Sequence, residues 1–171
     1  MFTLVVGGAA SGKSAFAEAV AAALPGPRRY LATMEPYGAE GRARVARHRA
    51  LRAGKGFETL ERYVDLSGAE VPAGASVLLE DLGNLAANEL YRPDGGGETA
   101  VLAGVLALRG RCAHLTVVTN EVFSGGADYA GDTLRWLMAL ARLNRALAAR
   151  ADTVVEVVCG LPNLLKGDLP W

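Results

Sequence analysis

Residues 7–14 of the chain read GGAASGKS, a complete G-x-x-x-x-G-K-S motif, and they follow directly on the β-favouring run Phe2–Val6. In such a loop the backbone N–H groups surround phosphate oxygens, and the N-terminus of the following helix adds the positive end of its dipole. The preceding strand, the spacing of the motif and the following helix all match a P-loop. A chance glycine-rich turn would require none of these three features. The motif therefore predicts a P-loop that binds a nucleoside triphosphate.

The motif also assigns roles to individual side chains. Lys13 is predicted to contact the β- and γ-phosphates, and the Ser14 hydroxyl is predicted to hold Mg²⁺. P-loop sites add a carboxylate at the end of a neighbouring strand. The run VLLED at 77–81 supplies one through Glu80, Asp81 or both, and side-chain alternation alone does not decide between them. The alternative interpretation of these two acids is a solvated strand end.

Short β-favouring runs alternate with helical runs, which is typical of a mostly parallel sheet covered by helices. We predict strands at Phe2–Val6, Arg29–Ala32, Val77–Glu80, Leu115–Thr119 and Thr153–Cys159, a weaker strand near Phe57–Leu60 and a final hairpin near Leu161–Lys166. We predict helices at Lys13–Ala23, Ala39–Arg52, Leu82–Leu90, Glu98–Arg109 and Asp132–Arg150. Residues 1–171 are therefore predicted to form a single α/β domain of the P-loop NTPase class.

The composition narrows the range of functions. Lysine and arginine total 18, as do aspartate and glutamate, so the net charge is zero and no nucleic-acid footprint is expected. We expect no membrane span and no signal peptide, and therefore a cytoplasmic location. The two cysteines, Cys112 and Cys159, fit no metal or redox spacing and are expected to be buried, reduced thiols.

The segment GRARVARHRALR at 41–52 carries five arginines and His48. Because these residues would spread around much of a helix, the segment is poorly amphipathic. One interpretation is a solvated surface helix. The other is a polyphosphate-binding helix around a nucleophilic histidine, since neighbouring guanidinium groups would lower the pKa of His48 and stabilise negative charge on a phosphorus under attack. His114, which has no clustered partners, is expected to be structural.

With these segments in place, the chain resembles the bifunctional adenosylcobinamide kinase / adenosylcobinamide-phosphate guanylyltransferase family of cobalamin biosynthesis. The resemblance runs over nearly the whole chain, with the P-loop, the arginine-rich histidine helix and VTNEV in the order typical of that family. Its marks are GGAASGKS at 7–14, YLAT at 30–33, ARVARHR at 43–49, LLE at 78–80, Asn88, VTNEV at 118–122, RLNRALAARAD at 142–152 and VVCGLPNLLK at 157–166.

The resemblance implies two reactions and a RecA-like, trimeric enzyme with sites between subunits. Family members phosphorylate the aminopropanol hydroxyl of adenosylcobinamide with ATP or GTP, and then transfer GMP from GTP to that phosphate, giving adenosylcobinamide-GDP and pyrophosphate. The second step uses a guanylylated histidine, which matches His48; Lys13 is the other predicted catalytic residue. The matching nucleotide-site residues are Gly7, Gly8, Ala9, Ala10, Ser11, Gly12, Lys13, Ser14, Ala32, Thr33, Met34, Arg49, Ala50, Leu51, Arg52, Glu61 and Glu80.

Two other functions stay open on the residues alone. A kinase of another small metabolite would keep the P-loop without nucleotidyl transfer, and GTP would then not label His48. A non-catalytic nucleotide-binding module would use its arginines to bind a partner. The intact Lys13, Ser14 and Glu80 disfavour that module, since binding alone does not require metal-assisted chemistry. The general base for the acceptor hydroxyl is likewise open, with Glu80 and Asp81 as candidates.

Overall fold

The structure, a computed structural model, describes residues 1–126 and 128–169, except the side chains of Glu40, Arg44, Arg47, His48 and Leu51. The described strands are β1 (Phe2–Gly7), β2 (Arg28–Ala32), β3 (Phe57–Glu61), β4 (Ser76–Glu80), β5 (His114–Asn120), β6 (Thr153–Val158) and β7 (Leu161–Lys166). The described helices are α1 (Lys13–Ala23), α2 (Gly38–Arg52), α3 (Leu82–Tyr91), α4 (Gly97–Arg111) and α5 (Gly131–Arg150), with a 3-10 turn at Leu66–Gly68. All predicted elements are confirmed with small shifts at their ends, and only the 3-10 turn was not predicted.

The strands form one sheet in the order β3-β2-β4-β5-β1-β6-β7. All neighbouring strands are parallel except β6 and β7, which form the predicted antiparallel hairpin. The predicted α/β fold with a mostly parallel sheet is therefore confirmed. The carboxyl ends of the parallel strands lie along one edge of the sheet, which runs across the strands. This edge carries the terminal residues of five strands, Gly7, Ala32, Glu61, Glu80 and Asn120. Ligands of open α/β sheets bind at this edge.

Helices cover both faces of the sheet, as the apolar strand runs predict. On one face, Ala17 and Ala21 of α1 pack with Val5, Leu78 and Val118. The opposite face packs against α3, α4 and α5 through a larger set of buried residues that includes Leu4, Leu79, Val117, Leu85, Val105 and Leu140. None of the described helices is long and apolar enough to cross a membrane.

The alternation of faces along β4 decides where its terminal acid points. Leu78 faces α1 and Leu79 faces the opposite layer. Successive side chains of a strand point to opposite faces, so Glu80 shares the face of Leu78. This face is the one covered by α1, the helix that the P-loop opens.

The expectation that both thiols are buried is wrong for Cys159, which is exposed, while Cys112 is half-buried. The predicted last strand included Cys159, but β6 ends at Val158. Cys159 and Gly160 then form the two-residue connection to β7, with φ of 52° and 78°. Positive φ at both positions is what a tight hairpin turn requires, and a side chain at such a turn points away from the sheet.

Helix α4 approaches the 3-10 turn so closely that only glycine fits at position 104. A Cβ on Gly104 would lie 2.7 Å from Cβ of the buried Leu66, whereas a Cβ on Gly110 of the same helix would meet nothing within 4 Å. We expect Gly104→Ala to lower the free energy of unfolding by about 1–3 kcal/mol. Gly110→Ala, the matched control, should raise it by about 0.5 kcal/mol through the lower helix cost of alanine. Urea unfolding of both variants tests this packing, and equal stabilities would contradict it.

Candidate functional site

The predicted P-loop connects β1 to α1 and folds closely on itself. A Cβ on Gly7 would lie 2.5 Å from Oγ of Ser11 and 2.7 Å from the carbonyl oxygen of Val157, so position 7 admits only glycine. Gly12 precedes α1 with a φ of 92°, a left-handed conformation that glycine adopts without strain. The amide of Gly160 donates to the carbonyl of Ser11 at 2.7 Å, which braces the loop against the β6–β7 turn.

Lys13 lies across this loop instead of extending into solvent. Its side chain is largely buried, and Nζ donates to the carbonyl oxygen of Gly8 at 3.0 Å. The ammonium group therefore lies against the P-loop, near the positive N-terminal end of α1. Two sources of positive potential meet at one point, which favours a polyphosphate there.

Glu80, at the end of β4, is the acid that faces the P-loop helix. The carboxylate is buried, accepts a hydrogen bond from the Tyr30 hydroxyl at 3.2 Å and lies beside the Ser14 hydroxyl. Burial raises the pKa of Glu80, and the hydrogen bond from Ser14 opposes that shift. Asp81 has a different role: it caps α3, where Oδ1 accepts from the Asn84 amide at 2.7 Å. The choice that sequence alternation left open therefore falls on Glu80 as the neighbour of Ser14.

The oxygen atoms of Ser14 and Glu80 suit a hard divalent cation such as Mg²⁺. Among the described residues there is no cluster of three or more histidine, cysteine, aspartate or glutamate side chains that could hold a metal ion. Mg²⁺ differs from zinc in that it commonly takes only one or two protein ligands and completes its shell with water and substrate phosphates. The pair of side chains present thus fits Mg²⁺ bound together with a nucleotide.

Residues Ala32–Met34 lie at the end of β2 and are fixed by hydrogen bonds of Thr33. The Thr33 amide donates to the carbonyl of Glu80 at 3.1 Å, and its hydroxyl donates to the carbonyl of Asp81 at 2.7 Å. Asn88 of α3 donates to the Thr33 carbonyl at 2.8 Å. Thr33 is fully buried, so it holds β2 against β4, while Ala32 and Met34 line a pocket at the sheet edge.

The arginine-rich segment forms α2, as predicted, but it is not simply a solvated helix. Arg52 is buried, with its guanidinium 3.4 Å from the centroid of the Tyr30 ring. Arg49 pairs with the carboxylate of Glu61 at the end of β3, and Tyr63 donates to the same carboxylate at 2.9 Å. Ala50 is exposed. The side chains of His48 and Leu51 lie outside the described residues, so the predicted nucleophile remains a prediction.

A pocket lies between the end of α2 and the carboxyl ends of β2 and β4. Its lining consists of Tyr30, Ala32, Met34, Val45, Arg52, Glu80, Asp81 and Asn84. The pocket therefore brings together residues from three of the predicted site segments: Ala32 and Met34, Arg52, and Glu80. Glu61, by contrast, ends the edge strand β3, four strand positions from β1, which corresponds to roughly 19 Å across the sheet. Arg49 and Glu61 thus form a second group, apart from Lys13 and Ser14.

Tyr30 and Asn84 line the pocket but were not predicted as site residues. In the sequence, Tyr30 stood out only as the first residue of YLAT at 30–33. The available signal was its polar hydroxyl, because a buried tyrosine needs a hydrogen-bond partner. Asn84 gave no signal, since its place depends on the direction in which α3 leaves β4.

Comparisons with known proteins identify the family of this chain. A family model described as cobinamide kinase / cobinamide phosphate guanyltransferase matches residues 3–165. The bifunctional adenosylcobalamin biosynthesis protein CobP of Pseudomonas aeruginosa is 33% identical over 175 residues, covering 98% of this chain and 99% of the relative. The bifunctional CobU proteins of Escherichia coli and Salmonella typhimurium are each 32% identical, covering 97% of this chain and all of each relative. The chain therefore belongs to the cobinamide kinase / cobinamide phosphate guanyltransferase family.

Proposed function

We propose that this protein phosphorylates the aminopropanol hydroxyl of adenosylcobinamide with ATP or GTP and then transfers GMP from GTP to the new phosphate, forming adenosylcobinamide-GDP and pyrophosphate. The observation that supports it best is the buried carboxylate of Glu80 beside Ser14, at the sheet edge that also receives the arginine helix. A P-loop with its acidic partner supports phosphoryl transfer, and family membership supports the corrinoid acceptor. Both reactions are assigned to one catalytic domain, residues 1–171.

In the kinase reaction, the role of this chain is to bind and orient the triphosphate. The loop amides and the Lys13 ammonium would hold the β- and γ-phosphates, since both donate hydrogen bonds and carry positive potential. Ser14 and Glu80 would hold Mg²⁺, which, when bound, neutralises charge on the phosphate oxygens. The acceptor hydroxyl oxygen then bonds to the γ-phosphorus as the bond from that phosphorus to the bridging β-phosphate oxygen breaks, and the hydroxyl proton passes to a base, for which Glu80 and Asp81 are the candidates.

In the guanylyl transfer, we assign the nucleophile to His48. An imidazole nitrogen bonds to the α-phosphorus of GTP, and the bond from that phosphorus to the bridging oxygen breaks, releasing pyrophosphate. A phosphate oxygen of adenosylcobinamide phosphate next displaces the imidazole and restores free His48. Arginines on α2 support this assignment, because fixed positive groups stabilise the charge that develops on the phosphoryl oxygens.

The test of the proposed function is product formation by the purified protein. The protein is incubated with adenosylcobinamide, GTP and Mg²⁺, and the corrinoids are then separated and identified by mass spectrometry. We expect adenosylcobinamide phosphate first and adenosylcobinamide-GDP afterwards. Accumulation of the phosphate alone, with GTP in excess, would indicate a kinase without nucleotidyl transfer. If neither product formed, the proposed function would be wrong.

We further propose that the enzyme is a homotrimer that acts in the cytoplasm, where ATP and GTP are available. Support for self-association comes from β7, an edge strand whose residues are all exposed. Leu161 and Leu165 of β7 are 71% and 56% exposed. An uncovered apolar edge strand is a natural pairing surface. Light scattering of the purified protein measures the assembly, and a monomer at micromolar concentration would contradict the trimer.

The metal assignment gives a prediction that separates the two neighbouring acids. We expect Glu80→Gln to weaken the apparent affinity for Mg²⁺ in the kinase reaction by roughly 10- to 100-fold, because the charged oxygen ligand is lost. Asp81→Asn is the matched control, since asparagine still caps α3. Initial rates across a Mg²⁺ titration test both variants. The assignment would be wrong if Asp81→Asn, and not Glu80→Gln, shifted the titration.

A further inference from the structure

We propose that Tyr30 is a positioning residue for both halves of the nucleotide site: its ring holds Arg52 with donors free for a phosphate, and its hydroxyl holds Glu80 beside Ser14. The inference rests on the proposed function, because it assumes that a nucleotide binds at this edge of the sheet. Tyr30 itself is 4% exposed and lies in the middle of β2. We expect it to act through its two neighbours and not to touch the reacting atoms.

The first contact is between the Tyr30 ring and Arg52. The guanidinium carbon lies 3.4 Å from the ring centroid, and Arg52 is only 6% exposed. The Phe57 ring meets Tyr30 edge-on, with centroids 6.5 Å apart and planes at 81°. A guanidinium over an aromatic face is held by cation–π attraction while its N–H groups, which lie in its own plane, stay available. The stack therefore fixes the position of Arg52 without using its hydrogen bonds.

The unused donors of Arg52 indicate a ligand. Its Nε and Nη1 atoms are buried, and no atom of the described residues accepts a hydrogen bond from them. Buried polar groups in native proteins nearly always have a partner, so an exception needs an explanation. A phosphate supplies several acceptor oxygens, and guanidinium forks match that geometry. The pocket lined by Arg52, Met34 and Asn84 is where such a group would enter.

The second contact is between the Tyr30 hydroxyl and Glu80. The hydroxyl donates to Oε2 of Glu80 at 3.2 Å, and the Ser14 hydroxyl lies beside the same carboxylate. The hydrogen bond from Tyr30 therefore helps to fix the direction of this buried side chain. Because β2 pairs with β4 and Tyr30 stands opposite Leu78, the phenol reaches along β4 to Glu80 at its carboxyl end. Tyr30 thus contacts both Arg52 of α2 and Glu80, the acid beside Ser14.

The two contacts can be separated by substitution. Tyr30→Phe removes the hydroxyl and keeps the ring, whereas Tyr30→Leu removes both. Tyr91 provides matched controls, because its hydroxyl donates to the carbonyl of Asp132 and the Arg135 guanidinium lies 5.9 Å from its ring centroid. The measurements are the Kd of GTP with EDTA present, the Kd of Mn²⁺ for the GTP-bound protein by electron paramagnetic resonance, and the melting temperature.

We expect Tyr30→Phe to bind metal-free GTP like the unmodified protein and to bind Mn²⁺ about 10-fold more weakly, as for loss of a hydrogen bond to a charged group. Tyr30→Leu should also weaken metal-free GTP binding, by about 5- to 10-fold. Arg52→Met should weaken it at least as much. The double variant Tyr30→Leu/Arg52→Met should be no weaker than Arg52→Met, because both changes disable the same contact. Tyr91→Phe and Tyr91→Leu should leave both dissociation constants unchanged.

Several results would overturn the inference. One is a Tyr30→Phe protein with an unchanged Kd for Mn²⁺; another is an Arg52→Met protein that binds GTP normally. Additive losses in the double variant would show that Tyr30 supports the site only through general stability. Since Tyr30→Phe and Arg52→Met each test one contact, the inference can fail even if Tyr30→Leu does not fold. An unmodified protein that bound no GTP would instead contradict the proposed function itself.

Discussion

The Lys13→Ala protein is expected to lose both the kinase and the guanylyltransferase reaction, each by on the order of 1000-fold. The ammonium lies 3.0 Å from the Gly8 carbonyl, in the loop whose amides we propose to bind the phosphates. Both reactions build negative charge on phosphate oxygens, so removal of this charge raises both barriers. Steady-state assays with adenosylcobinamide and with adenosylcobinamide phosphate measure the two losses separately.

Lys55→Ala is the control for removal of a lysine elsewhere in the chain. Lys55 pairs with the buried carboxylate of Glu18, outside the P-loop. We expect its loss to lower the melting temperature, because Glu18 is left buried without its cation, and both reactions to persist at 25 °C. Retention of either reaction at full rate in Lys13→Ala would show that the P-loop does not serve that reaction. It would also divide the two reactions between separate nucleotide sites.

The His48→Ala protein is expected to lose guanylyl transfer by on the order of 10⁴-fold or more, because the nucleophile of a covalent mechanism is gone. Kinase turnover should remain largely present, since the acceptor hydroxyl attacks the γ-phosphorus directly. The measurement uses GTP labelled at the α-phosphate with Mg²⁺, followed by denaturation. Label on the unmodified protein should be acid-labile and alkali-stable, and His48→Ala should carry none.

His114→Ala is the matched control, because the chain has only two histidines. His114 begins β5, at the sheet edge opposite the P-loop, and burial lowers its pKa. We expect this variant to be labelled like the unmodified protein. Full guanylyl transfer by His48→Ala would refute the covalent mechanism, and label that disappeared only in His114→Ala would move the nucleophile to the other histidine.

Local signals in the sequence were strong enough to predict most of the fold. The motif at 7–14 fixed a strand, a loop and a helix start, because each has a separate physical requirement at that spacing. The apolar runs of β4, β5 and β6 predicted covered strands, and α1 was predicted with its observed ends. The error at Cys159 arose because an apolar run can enter a hairpin turn, and its composition does not mark where pairing ends.

Contacts between distant segments could not be predicted in the same way. No local pattern predicts the strand order β3-β2-β4-β5-β1-β6-β7, although this order decides which strand ends are neighbours. The sequence did not show that position 104 requires glycine, because this requirement comes from the close approach of Leu66. The sequence could not decide whether Glu80 or Asp81 faces the P-loop. The structure decides for Glu80, because α1 packs on the face of the sheet that carries Leu78.

The sequence by itself determined the P-loop motif, the alternating α/β architecture and the family, because these depend on spacing and periodicity along the chain. Only the tertiary structure decided that Tyr30 lies under Arg52 and beside Glu80. It also decided that Glu61 pairs with Arg49 at the end of the outer strand β3. The physical reason is that burial, stacking and hydrogen bonding between residues 12 to 50 positions apart depend on how helices and strands pack together. No local pattern in the sequence encodes that packing.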